Sequence, residues 1–220
     1  METGKASDVF VLGITGGVGS GKSRVLSYLE ERFGASLLSC DEIGRELQAK
    51  GGRVYKPIVA LFGEEALLPD GELDRGKIAR AVFSDPDLLQ RLNGIVHPAV
   101  KEEVQERILA VQEILRHRPR TEGETGLICV EAALLLEGGY RDICREIWYI
   151  YASESVRKKR LMENRGYPEK RVMEMFRSQR SDRSFRENTD FSIDNSGNFE
   201  TETIPALEKA VRERVFSKNF

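Results

Sequence analysis

The sequence predicts an α/β fold in which a parallel sheet carries helices on both faces. Three observations support this: short apolar runs, helical periodicity between them, and a glycine-rich segment that joins the first run to a helix. The runs barely alternate with polar residues, as expected of strands buried on both faces. The predicted strands are Val9–Ile14, Ala35–Leu38, Gly126–Glu131, Ile147–Tyr151 and Phe191–Ile193. Ligands bind at the carboxyl ends of such strands, so residues just after them are the first functional candidates.

Composition indicates a globular enzyme of one main domain. The chain has 220 residues, a net charge of −2, 40% hydrophobic and 32% charged residues, so no overall field favours nucleic acid or a membrane surface. Its three cysteines are too few and too scattered for a disulfide framework or a zinc site. No apolar stretch approaches the roughly 20 residues that span a bilayer. We therefore expect a cytoplasmic protein, a monomer or weak homo-oligomer, that binds neither nucleic acid nor membrane.

The segment Gly16–Ser23 matches the pattern G-x-x-x-x-G-K-[ST] of phosphate-binding loops. Its glycines let successive backbone N–H groups face one point and bind an anion. Lys22 can reach the β- and γ-phosphates of a nucleotide, and the Ser23 hydroxyl can bind Mg²⁺. An apolar run precedes the loop, and the helical stretch Lys22–Phe33 after it adds the partial positive charge of a helix N-terminus. This context disfavours the alternative, a glycine-rich turn that binds nothing.

A helical insertion is predicted between the second and third strands. Residues 42–120 contain no convincing strand but several helical patterns. These patterns cover Val54–Phe62, Asp74–Phe83, Pro86–Val96 and Pro98–Arg116. We predict that the insertion, residues 42–120, covers the acceptor side of the site, and that residues 1–41 and 126–220 form the nucleotide-binding core. His117–Thr125 is expected to be an exposed loop.

A dense run of basic residues, from Arg157 to Arg186, has two interpretations. A solvated helix face is the expected role for most of its members. A polyphosphate substrate changes that expectation, because arginines from a closing lid can neutralise the charge that phosphoryl transfer places on equatorial oxygens. We therefore predict a lid within about residues 157–186, in which one or two arginines contact phosphate. A nucleic-acid site is less well supported, since few aromatic residues are interleaved with the basic ones.

A carboxylate follows the second predicted strand. Asp41 comes soon after Ala35–Leu38, at the sheet edge where the phosphate loop is also expected. A kinase that acts on an alcohol needs a carboxylate near the acceptor hydroxyl, to orient it and take its proton. Arg45, four residues later, would share a helix face with Asp41 and could bind an anionic group of the acceptor. The spacing is equally compatible with a helix cap at Asp41 and a surface ion pair between Asp41 and Arg45.

Over nearly its whole length the chain resembles the dephospho-coenzyme A kinases, a family of P-loop kinases. The family pattern G-[IL]-T-G-G-[IV]-[GA]-S-G-K-S is matched by residues 13–23, and D-x-[IL]-[AG]-R by Asp41–Arg45. The family's His-Pro pair is matched by His97–Pro98. Its P-L-L-[FY]-E segment is approximated by residues 133–137, and its A-D-x-V-I-x-N-x-G by residues 189–197. The combination is far more specific than the phosphate loop, which many kinases share.

The resemblance implies a P-loop kinase fold with a helical acceptor-binding insertion and a lid. It also implies ATP-dependent phosphorylation of the 3′-hydroxyl of dephospho-coenzyme A, which gives coenzyme A and ADP in the last step of coenzyme A synthesis, with Mg²⁺ as cofactor. Lys22 and Asp41 are then the catalytic residues, and Ser23 is the metal ligand. The substrate-binding residues are Asp41, Arg45 and His97. The ATP ligands are Gly17, Val18, Gly19, Ser20, Gly21, Lys22, Ser23, Arg24, Arg160 and Asn195.

Several positions depart from the family pattern. Ser39 stands where the family often has an aspartate, Ala133 replaces a proline, and Thr189 replaces an alanine. In the family's R-L-x-x-R-[DN]-G segment, Asn164 takes the place of the second arginine, which is displaced to Arg165. These differences concern the lid contacts and the fit of the acceptor more than the ATP site. Arg160, which precedes the leucine of that segment, is the first choice for a phosphate contact.

His97 is expected at a boundary between two helices. It would be either a buried structural histidine or, as the resemblance suggests, a residue that faces the acceptor. Neither histidine has the spacing of a metal site, so Mg²⁺ held by Ser23 and phosphates is the metal we expect. Glu131 and Glu137 are kept out of the catalytic set, since either also fits an ordinary loop carboxylate.

Two other functions are compatible with the loop and Asp41. One is a kinase of another small acceptor, such as a nucleoside, a nucleotide or shikimate. The other is a nucleotide-gated switch that binds ATP or GTP and signals to a partner. A guanine-specific switch would usually carry an N-K-x-D signature, and the residues 194–196 offer no such lysine.

Overall fold

The computed structural model describes residues 9–117, 126–132, 135–136 and 138–216. The strands are β1 (Val9–Thr15), β2 (Ser36–Ser39), β3 (Gly126–Glu131), β4 (Glu146–Tyr151) and β5 (Phe191–Asp194). The helices are α1 (Lys22–Phe33), α2 (Cys40–Gln48), α3 (Tyr55–Phe62), α4 (Arg75–Ser84), α5 (Pro86–His117), α6 (Glu154–Arg165), α7 (Glu169–Arg177), α8 (Asp182–Glu187) and α9 (Ile204–Ala210). Shorter helical turns cover Glu64–Ala66, Tyr140–Asp142, Phe199–Thr203 and Val211–Phe216. Each predicted strand is confirmed, with its ends displaced by no more than one residue.

The strands form one sheet in the order β2-β3-β1-β4-β5. The pairs β1–β3, β1–β4 and β4–β5 are parallel, with Val9 opposite Gly126 and Trp148 opposite Phe191. β1 is the central strand, and its neighbours β3 and β4 lie on opposite sides of it. The strand order therefore reverses at the carboxyl end of β1, which is where open parallel sheets bind ligands. The predicted α/β parallel-sheet fold is confirmed.

The core holds both elements that flank the glycine-rich loop. Phe10, Leu12 and Ile14 alternate along β1, so they share one face of the strand, and all three are fully buried. Val25 and Leu29, four residues apart on α1, belong to the same buried cluster. Because β1 and α1 are both anchored by apolar burial, the loop between them is held at its two ends.

The chain divides into two compact units. Residues 1–38 and 109–220 form the first unit, which contains the sheet, and residues 39–108 form the second, which is helical. Leu67 and Leu73 form an isolated antiparallel bridge within the second unit. What the two parts bind, a nucleotide and an acceptor, stays a prediction.

The prediction of two separate helices over Pro86–Val96 and Pro98–Arg116 is wrong. A single helix, α5, extends from Pro86 to His117 and contains Pro98. Proline has no N–H to bond to the carbonyl four residues earlier, so it often ends a helix. The buried positions after the proline are Ala99, Val100, Val104 and Ile108. Burial of this apolar stripe offsets the loss of one backbone hydrogen bond, and the helix continues.

Candidate active site

The phosphate-binding loop joins the end of β1 to the first turn of α1. Gly19 and Gly21 have φ angles of 79° and 89°, in the left-handed region that glycine adopts at little cost. At Gly21 a Cβ atom would also lie 2.3 Å from the side-chain nitrogen of Asn195. Because α1 begins at Lys22, the N-terminal N–H groups of this helix follow directly on the loop. The segment is therefore an anion site built from backbone N–H groups and a helix dipole.

Lys22 lies close to Glu131 at the carboxyl ends of the neighbouring strands β1 and β3. The Lys22 Nζ donates a hydrogen bond of 3.0 Å to the Gly16 carbonyl and lies 3.8 Å from Glu131 Oε1. These contacts keep the ammonium group over the loop, where it can neutralise phosphate charge. Glu131, which is not among the predicted catalytic residues, therefore lies beside one of them, Lys22. Glu137 lies outside the described residues.

Ser23 and Arg24 are exposed on the first turn of α1. The exposed Ser23 hydroxyl is accessible to a ligand beside the loop. Arg24 forms an ion pair with Glu200, and its guanidinium carbon lies 4.0 Å from the centre of the Phe199 ring. The structure thus gives Arg24 protein partners on the segment that follows β5.

The carbonyl of Ser20 accepts hydrogen bonds from two predicted ATP ligands. Asn195 Nδ2 donates to it over 2.7 Å, and Arg160 Nη1 over 3.3 Å. Arg160 Nη2 also donates to the Asn195 carbonyl at 2.9 Å, while Asn195 Oδ1 accepts from Thr203 Oγ1 at 3.0 Å. Asn195 and Thr203 are buried. Both ends of the Asn195 amide are engaged within the protein, so its observed contacts support the shape of the loop.

A second set of contacts surrounds the peptide groups of Val18. Its N–H donates to Gln179 Oε1 at 3.1 Å, and its carbonyl accepts from Arg157 Nε at 2.8 Å. Arg157 Nη2 donates to the same Gln179 oxygen at 2.7 Å. From the sequence, Arg157 is one member of the basic run with no individual role, and no role is predicted for Gln179. One signal was available, because Arg157 precedes Arg160 by three residues and so shares a helix face with it.

The basic run of residues 157–186 contains residues on a solvated surface and residues next to the phosphate-binding loop. Lys158 pairs with Glu169, Arg183 with Glu187 and Arg186 with Asp182. Arg157 and Arg160 have no such carboxylate partner among the described residues, and burial lowers the pKa of both guanidinium groups from the ordinary value. The first group forms a solvated, paired surface, whereas the second lies against the phosphate-binding loop.

The acceptor-side candidates Asp41 and Arg45 lie on α2, in the second unit. Ser39 caps α2, because its Oγ accepts a hydrogen bond from the Glu42 N–H. The alternative role of Asp41 as the helix cap is therefore wrong. Both Asp41 and Arg45 are exposed, and no ion pair joins them in the described ranges. The charges of both side chains are available to a ligand.

His97 lies inside α5 and is exposed. It is therefore neither at a helix boundary nor a buried structural histidine, because Pro98 does not end the helix. In the second unit, α5 packs on α2 near this point: a Cβ on Gly44 would lie 3.6 Å from Val100 Cγ2. Arg45 is the neighbour of Gly44, and His97 lies three residues before Val100, so the two predicted substrate ligands occupy adjoining helices.

Within the described part of the chain, no three His, Cys, Asp or Glu side chains are grouped so that they could hold a metal ion. None of the described helices is long and apolar enough to cross a membrane.

A family model and relatives found by sequence agree on one family. The family model described as dephospho-CoA kinase matches residues 10–201. A dephospho-CoA kinase from Moorella thermoacetica is 39% identical over 154 residues, which is 70% of this chain and 68% of the relative. The structure of TT1252 from Thermus thermophilus has a TM-score of 0.73 and 28% identity, covering 97% of this chain and 99% of the other. A dephospho-CoA kinase from Campylobacter jejuni, at 19% identity, has the same fold, with a TM-score of 0.67 and coverage of 96% and 98%.

Proposed function

The chain belongs to the dephospho-CoA kinase family, and we propose that it transfers the γ-phosphoryl group of ATP to the 3′-hydroxyl of dephospho-CoA. The products are CoA and ADP, and the reaction is the last step of CoA synthesis. The single observation that supports the kinase chemistry most directly is the glycine-rich loop with Lys22 held over it by the Gly16 carbonyl. The identity of the acceptor rests on the family.

Two hydroxyl groups in or next to the loop could form a hydrogen bond with an oxygen of a bound ligand. Thr15 Oγ1 and Ser20 Oγ are buried and have no hydrogen-bond partner within the described ranges. Buried hydroxyls in proteins are nearly always hydrogen-bonded. The N–H groups of the loop and of the first turn of α1 would bind the phosphates, and Lys22 would neutralise the charge that develops during transfer.

The residues present fit a magnesium ion that is held mainly by the nucleotide. Mg²⁺ keeps several water ligands and is usually bound by one or two protein oxygens together with substrate phosphates. Ser23 offers an exposed hydroxyl next to the loop, and Glu131 lies 3.8 Å from Lys22. Ser23 would bind the ion directly, and Glu131 would bind its water. The ion supplies positive charge to the phosphate oxygens.

Asp41, Arg45 and His97 are the proposed acceptor residues, and the unit of residues 39–108 is the proposed acceptor-binding part. Asp41 would orient the ribose hydroxyl and accept its proton, since an exposed carboxylate without an ion-pair partner remains free to do so. Arg45 would bind an anionic group of the acceptor, and His97 would contact it from α5. Two further features stay predictions from the sequence, a cytoplasmic location and a monomeric or weakly oligomeric state.

A coupled assay of ADP production tests the proposal. The purified protein is supplied with ATP and Mg²⁺, and the acceptor is varied among none, dephospho-CoA, nucleosides, nucleotides and shikimate. We expect ADP production that depends on dephospho-CoA, and a product with the mass of CoA. Stimulation by another acceptor alone would assign a different kinase activity, and binding of nucleotide without any acceptor-dependent turnover would indicate a switch.

A further inference from the structure

Arg157 is held next to the phosphate-binding loop by a closed ring of three hydrogen bonds. The ring joins Arg157, Gln179 and the two peptide groups of Val18, with donor–acceptor distances of 2.7–3.1 Å. Two side chains from different parts of the lid thus bond to one residue of the loop. Arg157 comes from α6, and Gln179 from the connection between α7 and α8. The ring fixes the position of the guanidinium group relative to the loop.

Two residues lie close to that guanidinium group. A Cβ atom on Gly17 would lie 2.6 Å from its central carbon. The same carbon lies 4.4 Å from the centre of the Phe176 ring. The N–H groups of a guanidinium lie in its plane and donate at its edge, where Nε and Nη2 are already engaged. Nη1 has no hydrogen-bond partner among the described residues, and its two N–H groups remain available for a ligand.

Arg157 also forms no ion pair in the described part of the chain, although the charges of Glu154 and Asp182 favour its charged form. No carboxylate of the described residues lies within ion-pair distance of it, although Arg183 and Arg186 in the same lid each have one. Burial lowers the pKa of the Arg157 guanidinium, because the charged form loses hydration. An anion placed at Nη1 would offset that loss. Arginine also offers a geometry that suits phosphate oxygens.

Arg160 differs from Arg157 in how its donors are used. Both of its terminal nitrogens donate to carbonyls, one to Ser20 and one to Asn195. We propose that Arg157 is a catalytic residue that contacts the γ-phosphoryl group of ATP during transfer, and that Gln179 is the positioning residue that orients it. This inference rests on the proposed kinase function. It assigns different tasks to the two arginines: Arg160 supports the loop, and Arg157 contacts the substrate.

The transfer step needs no further reactant. The acceptor oxygen forms a bond to the γ-phosphorus while the bond from that phosphorus to the β,γ-bridging oxygen breaks. The bridging oxygen keeps the electron pair and leaves with ADP, and the hydroxyl proton passes to the acceptor base, the role proposed for Asp41. Charge on the γ-phosphoryl oxygens is shared among them during this step. A fixed guanidinium at their edge stabilises that charge without having to reorganise.

Three variants and one control test the inference. Arg157→Ala removes the cation, and Arg157→Lys keeps a charge without the planar group. Gln179→Glu keeps an oxygen that accepts both ring bonds but adds a negative charge that neutralises Arg157. Arg183→Ala removes an exposed, paired arginine of the same lid. We would measure kcat and KM for both substrates, the thermal midpoint, and calorimetric affinities for ADP and a non-hydrolysable ATP analogue.

For Arg157→Ala we expect kcat to fall by about 10²-fold, and the affinity for the ATP analogue relative to ADP to fall by about tenfold. Arg157→Lys should have a kcat and a relative analogue affinity between those of wild type and Arg157→Ala. Gln179→Glu should keep the thermal midpoint and the KM for dephospho-CoA while kcat falls by about tenfold or more. Arg183→Ala should match wild type. A purely structural ring would instead leave kcat unchanged in Gln179→Glu, and that result would overturn the inference.

Unchanged discrimination between ADP and the ATP analogue in Arg157→Ala would also overturn it. The calorimetric experiment needs no acceptor, so it separates this inference from the proposed function. If wild type failed to phosphorylate dephospho-CoA, the acceptor assignment would be wrong. The loss of analogue affinity in Arg157→Ala would still support the contact with the γ-phosphate.

Discussion

The side-chain amide of Asn195 donates a hydrogen bond of 2.7 Å to the carbonyl of Ser20, 175 positions earlier in the chain. This bond joins the segment after β5 to the phosphate-binding loop. The same amide accepts from Thr203, so the position of the loop depends on residues near the opposite end of the sequence. A nucleotide-binding loop usually depends on its own glycines for its shape, and here side chains from α6 and from the segment after β5 also contribute.

Asn195→Ala should therefore weaken both folding and nucleotide binding. The substitution removes a donor to Ser20 and leaves the buried Thr203 hydroxyl without its 3.0 Å partner. A lost buried hydrogen bond of this kind costs about 1–3 kcal/mol in the free energy of unfolding. Denaturant unfolding and ADP titration measure the two effects. Asn188→Ala, at an exposed asparagine whose side chain donates to the Ser184 carbonyl, is the matched control. Equal stability of the two variants would contradict a supporting role for Asn195.

Lys22→Ala should abolish most activity and leave the fold intact. Lys22 contributes a charge next to the loop rather than apolar packing, and loss of one such electrostatic donor lowers kcat by about 10²- to 10³-fold. Steady-state assays of ADP production measure this loss, and circular dichroism checks the fold. Lys209→Ala, an exposed lysine on α9, serves as the control. Near-normal turnover without the Lys22 ammonium group would rule out the assigned role.

Asp41→Asn should lower kcat by about 10²-fold or more while ATP still binds. The change keeps the size and one acceptor oxygen but removes the negative charge that a general base needs. Glu42→Gln alters the next carboxylate on the same exposed turn, so it reports any general effect of charge on α2. An unchanged rate in Asp41→Asn, or an equal loss in Glu42→Gln, would exclude Asp41 as the base.

Gly21→Ala should be more damaging than Gly34→Ala, although both glycines have left-handed backbone angles. Gly34 has φ 64° and open space around a Cβ atom, whereas Gly21 has φ 89° and a Cβ atom there would lie 2.3 Å from Asn195 Nδ2. Backbone strain alone costs about 1–2 kcal/mol. Gly34→Ala should lose that stability and keep its affinity for ADP. Gly21→Ala should lose more stability than Gly34→Ala and should also bind ADP more weakly. Similar ADP affinities of the two variants would show that the Asn195 side chain can move away from the added methyl group.

The lid should become more protected from hydrogen exchange when both substrates bind. Clustered positive charges in residues 157–186 repel one another until phosphates neutralise them. We expect slower exchange in α7 and α8 with an ATP analogue and dephospho-CoA together than with either alone. Exchange at the buried residues Leu207 and Ala210 of α9 provides the internal reference. If exchange in the lid were the same with and without ligands, these helices would form a static surface.

Much of the fold could be predicted from the sequence because it depends on local patterns. The strand β3, Gly126–Glu131, and the helix α1, Lys22–Phe33, have the predicted bounds, since apolar runs and glycine boundaries are visible without tertiary contacts. The phosphate loop was equally visible, because its chemistry lies in eight consecutive residues. The continuity of α5 across Pro98 could not be predicted from the sequence. It depends on the burial of the apolar side chains along one face of the helix, which local sequence patterns do not show.

The supports of the loop could not be predicted in the same way. Arg157 and Gln179 bond to Val18 from 139 and 161 residues away, and no periodicity connects such positions. Arg160 and Asn195 were found through family motifs, but as ATP ligands, because a motif records which residues recur and not which atoms they contact. Ser39 was noted as a departure from the family pattern, whereas its structural position is the cap of α2.

The order of synthesis gives the central position of β1 a further consequence. Ribosomes deliver β1 and its loop first, while the strands that flank β1, β3 and β4, begin only at Gly126 and Glu146. Asn195, which bonds to the loop, emerges later still. A nascent chain therefore contains the whole phosphate-binding loop before it contains the residues that fix the conformation of that loop. The sheet can fold only after the second half of the polypeptide has been synthesised. Ribosome-bound chains that end before residue 126 should expose the apolar residues of β1. We expect such chains to bind chaperones and not to bind nucleotide.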